Sequence, residues 1–229
     1  MLTIALMAVA LAAFDQPEPE CEPIAEVAGS IEALNRFWGR SIELCAAEDP
    51  GESAVAYPDE NVVLANPDWL ADMALVYGPS VVTGILAHEW GHMVQGSRSS
   101  LMAELHADCL AGAFMSSAGF TRAELRQFEQ ISLRSGDLRR SDWQHGTGDE
   151  RRRAAVRGYE GYAKTGMAGI ADMCPLRSRG RAWSPPHRAA AAHPARRTEP
   201  SADCAEGFGG SWAYPRGRRC SMTAAEERR

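Results

Sequence analysis

Two histidines and a glutamate near the middle of the chain are spaced for metal chemistry. Residues 88–92 read HEWGH, an H-E-x-x-H sequence. On a helix, residues four apart lie on one face, so the imidazoles of His88 and His92 can reach one ion. Glu89 lies about 100° further round such a helix, where it can take a proton from a water beside the ion. The motif therefore predicts a zinc ion held by two histidines, with Glu89 as the general base of a hydrolytic reaction.

The next predicted helix supplies a third ligand. A catalytic zinc usually takes three protein ligands and keeps one position for water. Glu104 and Asp108 recur with apolar residues at spacings of three and four, so both carboxylates share the inward face of an otherwise apolar helix. Because an unpaired buried carboxylate is costly, both need partners. We expect Glu104 to be the third ligand and Asp108 to accept a hydrogen bond from a ligand histidine.

Two competing ligand assignments are less well supported. His106 lies two residues from Glu104 and so points about 200° round the helix, away from that face. The metzincin pattern requires Gly three residues and His six residues after His92, where this chain has Gln95 and Arg98. A purely structural interpretation also stays open, with both histidines in the core and the carboxylates paired with arginines.

Three sequence blocks resemble the bacterial neutral zinc metallopeptidases: residues 87–95 (AHEWGHMVQ), 104–112 (ELHADCLAG) and 145–151 (HGTGDER). The similarity covers roughly residues 24–174. The Glu-x-x-x-Asp spacing is also similar to that of gluzincin membrane proteases, in which the glutamate is the third ligand. The resemblance implies a zinc-dependent peptidase but supplies no substrate.

The chain departs from this family at three positions without losing a proposed ligand. The family often has a second His where Met93 stands, and Gln where His106 and Glu150 stand. His145, in the third block, is a weaker candidate catalytic residue that could donate a hydrogen bond to a developing oxyanion. It could equally cap the following helix. Tyr159 and Tyr162 are further candidates for the same role.

The elements that position these residues follow from apolar periodicity and breakers. We predict one β-strand, over residues 61–65, which could serve as a sheet edge that pairs with an extended peptide. The predicted helices cover residues 24–45, 67–77, 80–95, 100–117 (capped by Ser99 or Ser100), 122–133 and 149–164. The expected fold is α+β and mostly helical, a compact zincin-like metallopeptidase domain with a small sheet and a disordered C-terminal tail.

The chain of 229 residues divides into four segments by composition. Residues 1–14 are predicted to be a signal peptide, because Leu2 to Phe14 is an uncharged apolar run too short to span a bilayer. The remaining segments are an acidic, proline-containing linker (15–23), the zinc metallopeptidase-like domain (24–174) and a tail rich in Arg, Pro and Ala (175–229).

Six cysteines and this export signal suit up to three disulfides. No C-x-x-C pair occurs, which argues against a structural zinc knuckle. Of the possible pairings we expect Cys21–Cys45, Cys109–Cys174 and Cys204–Cys220. The predicted location is the periplasm or the extracellular space, with association at a membrane surface left open.

The charge distribution argues against nucleic acid as a partner. Residues 1–100 carry 15 Asp and Glu against 3 Lys and Arg, and the net charge of the whole chain is −6. The expected partner is a peptide or protein substrate, with no stable membrane span and no prediction of oligomeric state. The alternatives are a non-catalytic exported zinc-binding or scaffold protein, and a hydrolase of a non-peptide amide.

Overall fold

The computed structural model describes residues 21–47, 54–96, 100–137, 145–178 and 181–182. A mixed three-stranded sheet contains β1 (Glu43–Ala46), β2 (Ala54–Tyr57) and β3 (Val62–Ala65), and a short hairpin contains β4 (Arg177–Ser178) and β5 (Arg181–Ala182). The α-helices are α1 (Ala28–Trp38), α2 (Pro67–Tyr77), α3 (Ser80–Gln95), α4 (Leu101–Ser117), α5 (Arg122–Arg134), α6 (Gly148–Thr165) and α7 (Ile170–Met173). Short 3-10 turns precede α1 and α7. The prediction of a mostly helical α+β fold with a small sheet is confirmed.

Capping residues place the helix starts where the sequence predicts them. The side chain of Asn66 accepts a hydrogen bond from the backbone of Trp69, with Pro67 in the first turn of α2. Ser100 caps α4 by accepting from the N–H of Ala103. The predicted helices from α2 to α6 are confirmed to within one residue at each end.

The prediction of one helix over residues 24–45 is wrong. Helix α1 ends at Trp38 because Gly39 adopts a left-handed conformation, with φ of 59°. The side chain of Asn35 then bonds both the N–H and the carbonyl of Ile42, which turns the chain into β1. Burial alternates from Ile42 to Leu44, a period of two that belongs to a strand.

The strand predicted over residues 61–65 is confirmed as β3, but its predicted place at a sheet edge is wrong. Its position is central, because β1 pairs with it in parallel and β2 in antiparallel register. Neither flanking strand was predicted from the sequence, so β3 was expected to lack neighbours on one side. Strand β2 is an edge strand and contacts α3.

Helix α3 lies in the core and contacts α1, α2, α4, α5 and β2. Two glycines allow the central helices to approach closely. A Cβ atom on Gly91 of α3 would lie 2.8 Å from the Cα of Ala107 on α4. A Cβ atom on Gly112 of α4 would lie only 1.9 Å from the carbonyl oxygen of Ala155 on α6. Helices α3, α4 and α6 therefore form a closely packed group whose backbones nearly touch.

Two of the three predicted disulfides are present. Cys21–Cys45 attaches the first described residue to β1, and Cys109–Cys174 joins α4 to the end of α7. The pair Cys204–Cys220 lies outside the described residues, as do residues 1–14 and the tail beyond Ala182. The buried Leu176 extends the packed core two residues past the predicted domain end.

Among the described residues, no helix is both long enough and apolar enough to cross a membrane.

We expect Gly112→Ala to lower the free energy of unfolding by about 1–3 kcal/mol, because the added methyl group must displace the backbone of α6. Gly29→Ala is the matched control, since a Cβ atom there meets nothing within 4 Å and alanine favours the helix. Denaturant unfolding with the disulfides intact measures both variants. Equal stability of the two variants would contradict the close helix contact.

Candidate metal centre

Three of the predicted site residues converge between α3 and α4. His88 and His92 lie one helical turn apart on α3, and Glu104 lies in the first turn of α4. Their ligand atoms all lie within 4.8 Å of one another. Because Gly91 brings α3 close to α4, the short carboxylate side chain reaches both imidazoles.

The distances between the three donors suit a tetrahedral ion. The Nε2 atoms of His88 and His92 are 3.0 Å apart. Each Nε2 lies 3.4 Å from an oxygen of Glu104. Donors bound at about 2.0–2.1 Å to a tetrahedral zinc lie about 3.3–3.4 Å from one another. The group can therefore hold a metal ion with little rearrangement.

The group is partly sheltered and not sealed. The side chains of His88, His92 and Glu104 are 8%, 16% and 17% exposed. The three side chains therefore keep limited contact with solvent.

Asp108 occupies the orienting position predicted for it. Its Oδ1 lies 2.9 Å from Nδ1 of His88, and the residue is completely buried. A neutral histidine that donates a hydrogen bond from Nδ1 has its lone pair on Nε2, the atom that faces His92 and Glu104. The contact with Asp108 therefore orients the ring for metal binding.

Arg151 of α6 completes this arrangement and is not among the residues predicted from the sequence. Its Nε and Nη2 donate to the two oxygens of Asp108 at 2.8 and 2.9 Å. The residue is 6% exposed, whereas Arg153 on the same helix is exposed. The sequence carried a signal for its burial. Ala155 and Gly158 lie four and seven residues after Arg151, so Arg151 shares its helix face with small residues that allow close packing.

Glu89 lies beside the group and not in it, as the helix geometry predicts. Burial raises the pKa of its carboxyl, and the neighbouring Glu104 raises it further. The positive charges of His88 and His92 and a hydrogen bond from the backbone of Ala56 in β2 act in the opposite direction. A carboxylate with a raised pKa is a better proton acceptor than an ordinary one, which suits a general base.

The ionisation of the surrounding groups reflects close charge pairing. Burial alone would lower the pKa of His88, but Asp108 and Glu104 outweigh it and raise the pKa to about 10. Burial would raise the pKa values of Glu104 and Asp108. For Glu104, hydrogen bonds from the two histidines outweigh the effect of burial and lower the pKa below its usual range. For Asp108, the charge of Arg151 outweighs burial and lowers the pKa in the same way. A proton and a metal ion therefore compete for the same Nε2 lone pair.

His145 is not a member of the converging group. His145 is exposed and precedes Gly146 in the segment that leads into α6. The hydroxyl of Tyr159 donates to the carbonyl of Phe120, and the ring of Tyr162 packs against Phe37. The oxyanion role of His145 stays a prediction.

Two further residues near the motif are buried. His106 is 2% exposed and is not a member of the converging group. Trp90, inside the motif, is fully buried and donates from Nε1 to the side chain of Asn35, which fastens α3 to the end of α1.

Comparison of the chain with protein-family models, with curated proteins and with solved structures gave no match. The resemblance to the neutral zinc metallopeptidases therefore remains a prediction from three sequence blocks.

We expect wild-type protein supplied with zinc to retain about one ion per chain. Glu104→Ala should lose most of this metal, because two histidines alone hold it weakly. Met102→Ala, on the exposed side of the same helix, is the control and should retain it. Elemental analysis by mass spectrometry measures the zinc-to-protein ratio. Full retention in Glu104→Ala would show that the third ligand is wrong, and Asp108 would be tested next.

Proposed function

We propose that the protein is a zinc-dependent metallopeptidase that hydrolyses peptide bonds with Glu89 as general base. The observation that carries this proposal is the convergence of His88, His92 and Glu104 at donor distances of 3.0–3.4 Å. Two imidazoles and one carboxylate are a common donor set of catalytic zinc sites, which keep a further position for water or substrate.

The charges around the group favour a doubly charged ion. When metal binding leaves both histidines neutral, the ionised Glu89, Glu104 and Asp108 bring three negative charges and Arg151 brings one positive charge. A divalent cation balances this set within a poorly hydrated site. Nitrogen and oxygen donors of this kind suit zinc and other divalent first-row metals.

The proposed chemistry divides between the metal and the residues of the chain. A zinc ion in such a site lowers the pKa of a water to about 7 and polarises a substrate carbonyl. Glu89 accepts the proton of the attacking water and later passes it to the leaving amine. Asp108 holds the ring of His88 in the orientation described above.

The edge of the sheet is suited to bind an extended peptide beside the base. Within the described residues, the outer side of β1 is bridged by Pro23, and Glu22 accepts a hydrogen bond from Ala46. Strand β2 forms the other edge, and its residue Ala56 bonds Glu89. A peptide that pairs with this edge would run past the proposed catalytic centre.

The disulfides indicate an oxidising environment. Together with the signal-like segment of residues 1–14, which lies outside the described residues, they support the proposal that the enzyme is exported to the periplasm or the extracellular space.

Glu89→Gln should retain zinc but lose hydrolysis of a mixed peptide library by at least about 10²–10⁴-fold, because the amide cannot accept the proton. Glu160→Gln is the control, since Glu160 is an exposed glutamate on α6. Product formation followed by mass spectrometry gives the rates, and elemental analysis gives the metal content.

The outcomes separate the proposal from its alternatives. A fully active Glu89→Gln would refute the mechanism. Zinc-loaded wild type without turnover of any peptide would favour a scaffold role. Turnover of simple amides without turnover of peptides would favour a hydrolase of another amide.

A further inference from the structure

The guanidinium of Arg151 is a buried charge that the proposed mechanism does not use. We propose that Arg151 is a positioning residue for the metal centre: it locks the Asp108 carboxylate in the orientation in which that carboxylate accepts the Nδ1 hydrogen of His88. The ring of His88 is then held with Nε2 directed at His92 and Glu104. The inference rests on the proposed metal centre and deepens it.

The geometry is that of a rigid clamp. The Nε and Nη2 atoms of Arg151 donate to Oδ2 and Oδ1 of Asp108 at 2.8 and 2.9 Å. A planar guanidinium bound through two nitrogens fixes the plane of the carboxylate as well as its position. Oδ1 also lies 2.9 Å from Nδ1 of His88. The carboxylate that Arg151 orients is therefore the one to which the histidine donates.

The contact also determines which ring nitrogen of His88 carries the hydrogen. Nδ1 of His88 lies 2.9 Å from Oδ1 of Asp108 and 3.5 Å from Nη2 of Arg151, so the carboxylate is its hydrogen-bond partner. The carboxylate of Asp108, held ionised between them, only accepts. Nδ1 must therefore be the donor in this contact, so Nε2 is the nitrogen that exchanges its proton for a metal ion.

The fold presents Arg151 to this point from a firmly anchored helix. Thr147 and Glu150 form a capping box at the start of α6, and the backbone N–H of Arg151 bonds the carbonyl of Thr147 at 3.0 Å. One turn later, Ala155 meets Gly112 of α4 at backbone distance. The guanidinium is thus held by the N-terminal cap and by the helix crossing.

A merely structural ion pair between α4 and α6 would stabilise the fold without affecting the metal. The two roles differ in the quantity that responds to substitution. A positioning role requires a loss of metal affinity in a chain that is still folded, whereas a structural role predicts a loss of stability and unchanged affinity of the folded chain.

The test is zinc affinity, measured by competition with a chromogenic chelator on full-length protein, with circular dichroism and thermal unfolding of the metal-stripped form as fold controls. We expect Arg151→Met to weaken zinc binding by about 10–100-fold. Arg151→Lys retains the charge that Asp108 needs but lacks the two-nitrogen clamp, so it should fold and still lose about 10-fold. Arg157→Met removes an arginine that bonds the carbonyl of Met173 from the same helix, and it should bind zinc like wild type.

Each outcome decides one of the two proposals. If wild type binds zinc tightly and folded Arg151→Lys binds it equally well, the positioning role is overturned and the proposed metal centre stands. If wild type fails to bind zinc, the metal centre is overturned and the inference falls with it. If Arg151→Met does not fold, the affinity of Arg151→Lys decides.

Discussion

The arrangement of the three central helices depends on one fully buried carboxylate, that of Asp108. It projects from α4, meets His88 of α3 through one oxygen and receives two hydrogen bonds from Arg151 of α6. A charge in such a place is tolerable only while its partners remain, because removal of one leaves an uncompensated ion in the interior. The same contacts therefore hold the helices together and orient a donor of the candidate metal site.

Helical spacing in the sequence was sufficient to find most of this site. The residues at spacings of three and four on α4 include Glu104 and Asp108 among apolar neighbours, and the cost of burying them required nearby partners. The H-E-x-x-H spacing then indicated where those partners lie. The start of α4 could be read from Ser100 in the same way, because a cap is a local feature of the chain.

Contacts between distant segments could not be derived in this way. Residues 151–153 are three consecutive arginines; the spacing of Ala155 and Gly158 marks the helix face of the first, but only the crossing of α6 over α4 brings it to Asp108. Strand β2 has only four residues, two of them alanines, which is too weak a pattern to recognise. Its pairing with β3 follows only from the fold, and so the edge of the sheet was predicted on the wrong strand.

The disulfide Cys109–Cys174 has a consequence for metal selectivity. Cys109 follows Asp108 directly on α4, so reduction would leave a free thiol next in sequence to the residue that orients His88. Thiolates compete strongly for zinc and copper, and two of them can capture an ion in the wrong coordination. Oxidation withdraws both sulfurs from this competition. The cross-link therefore removes these two sulfurs as competing ligands beside the candidate site.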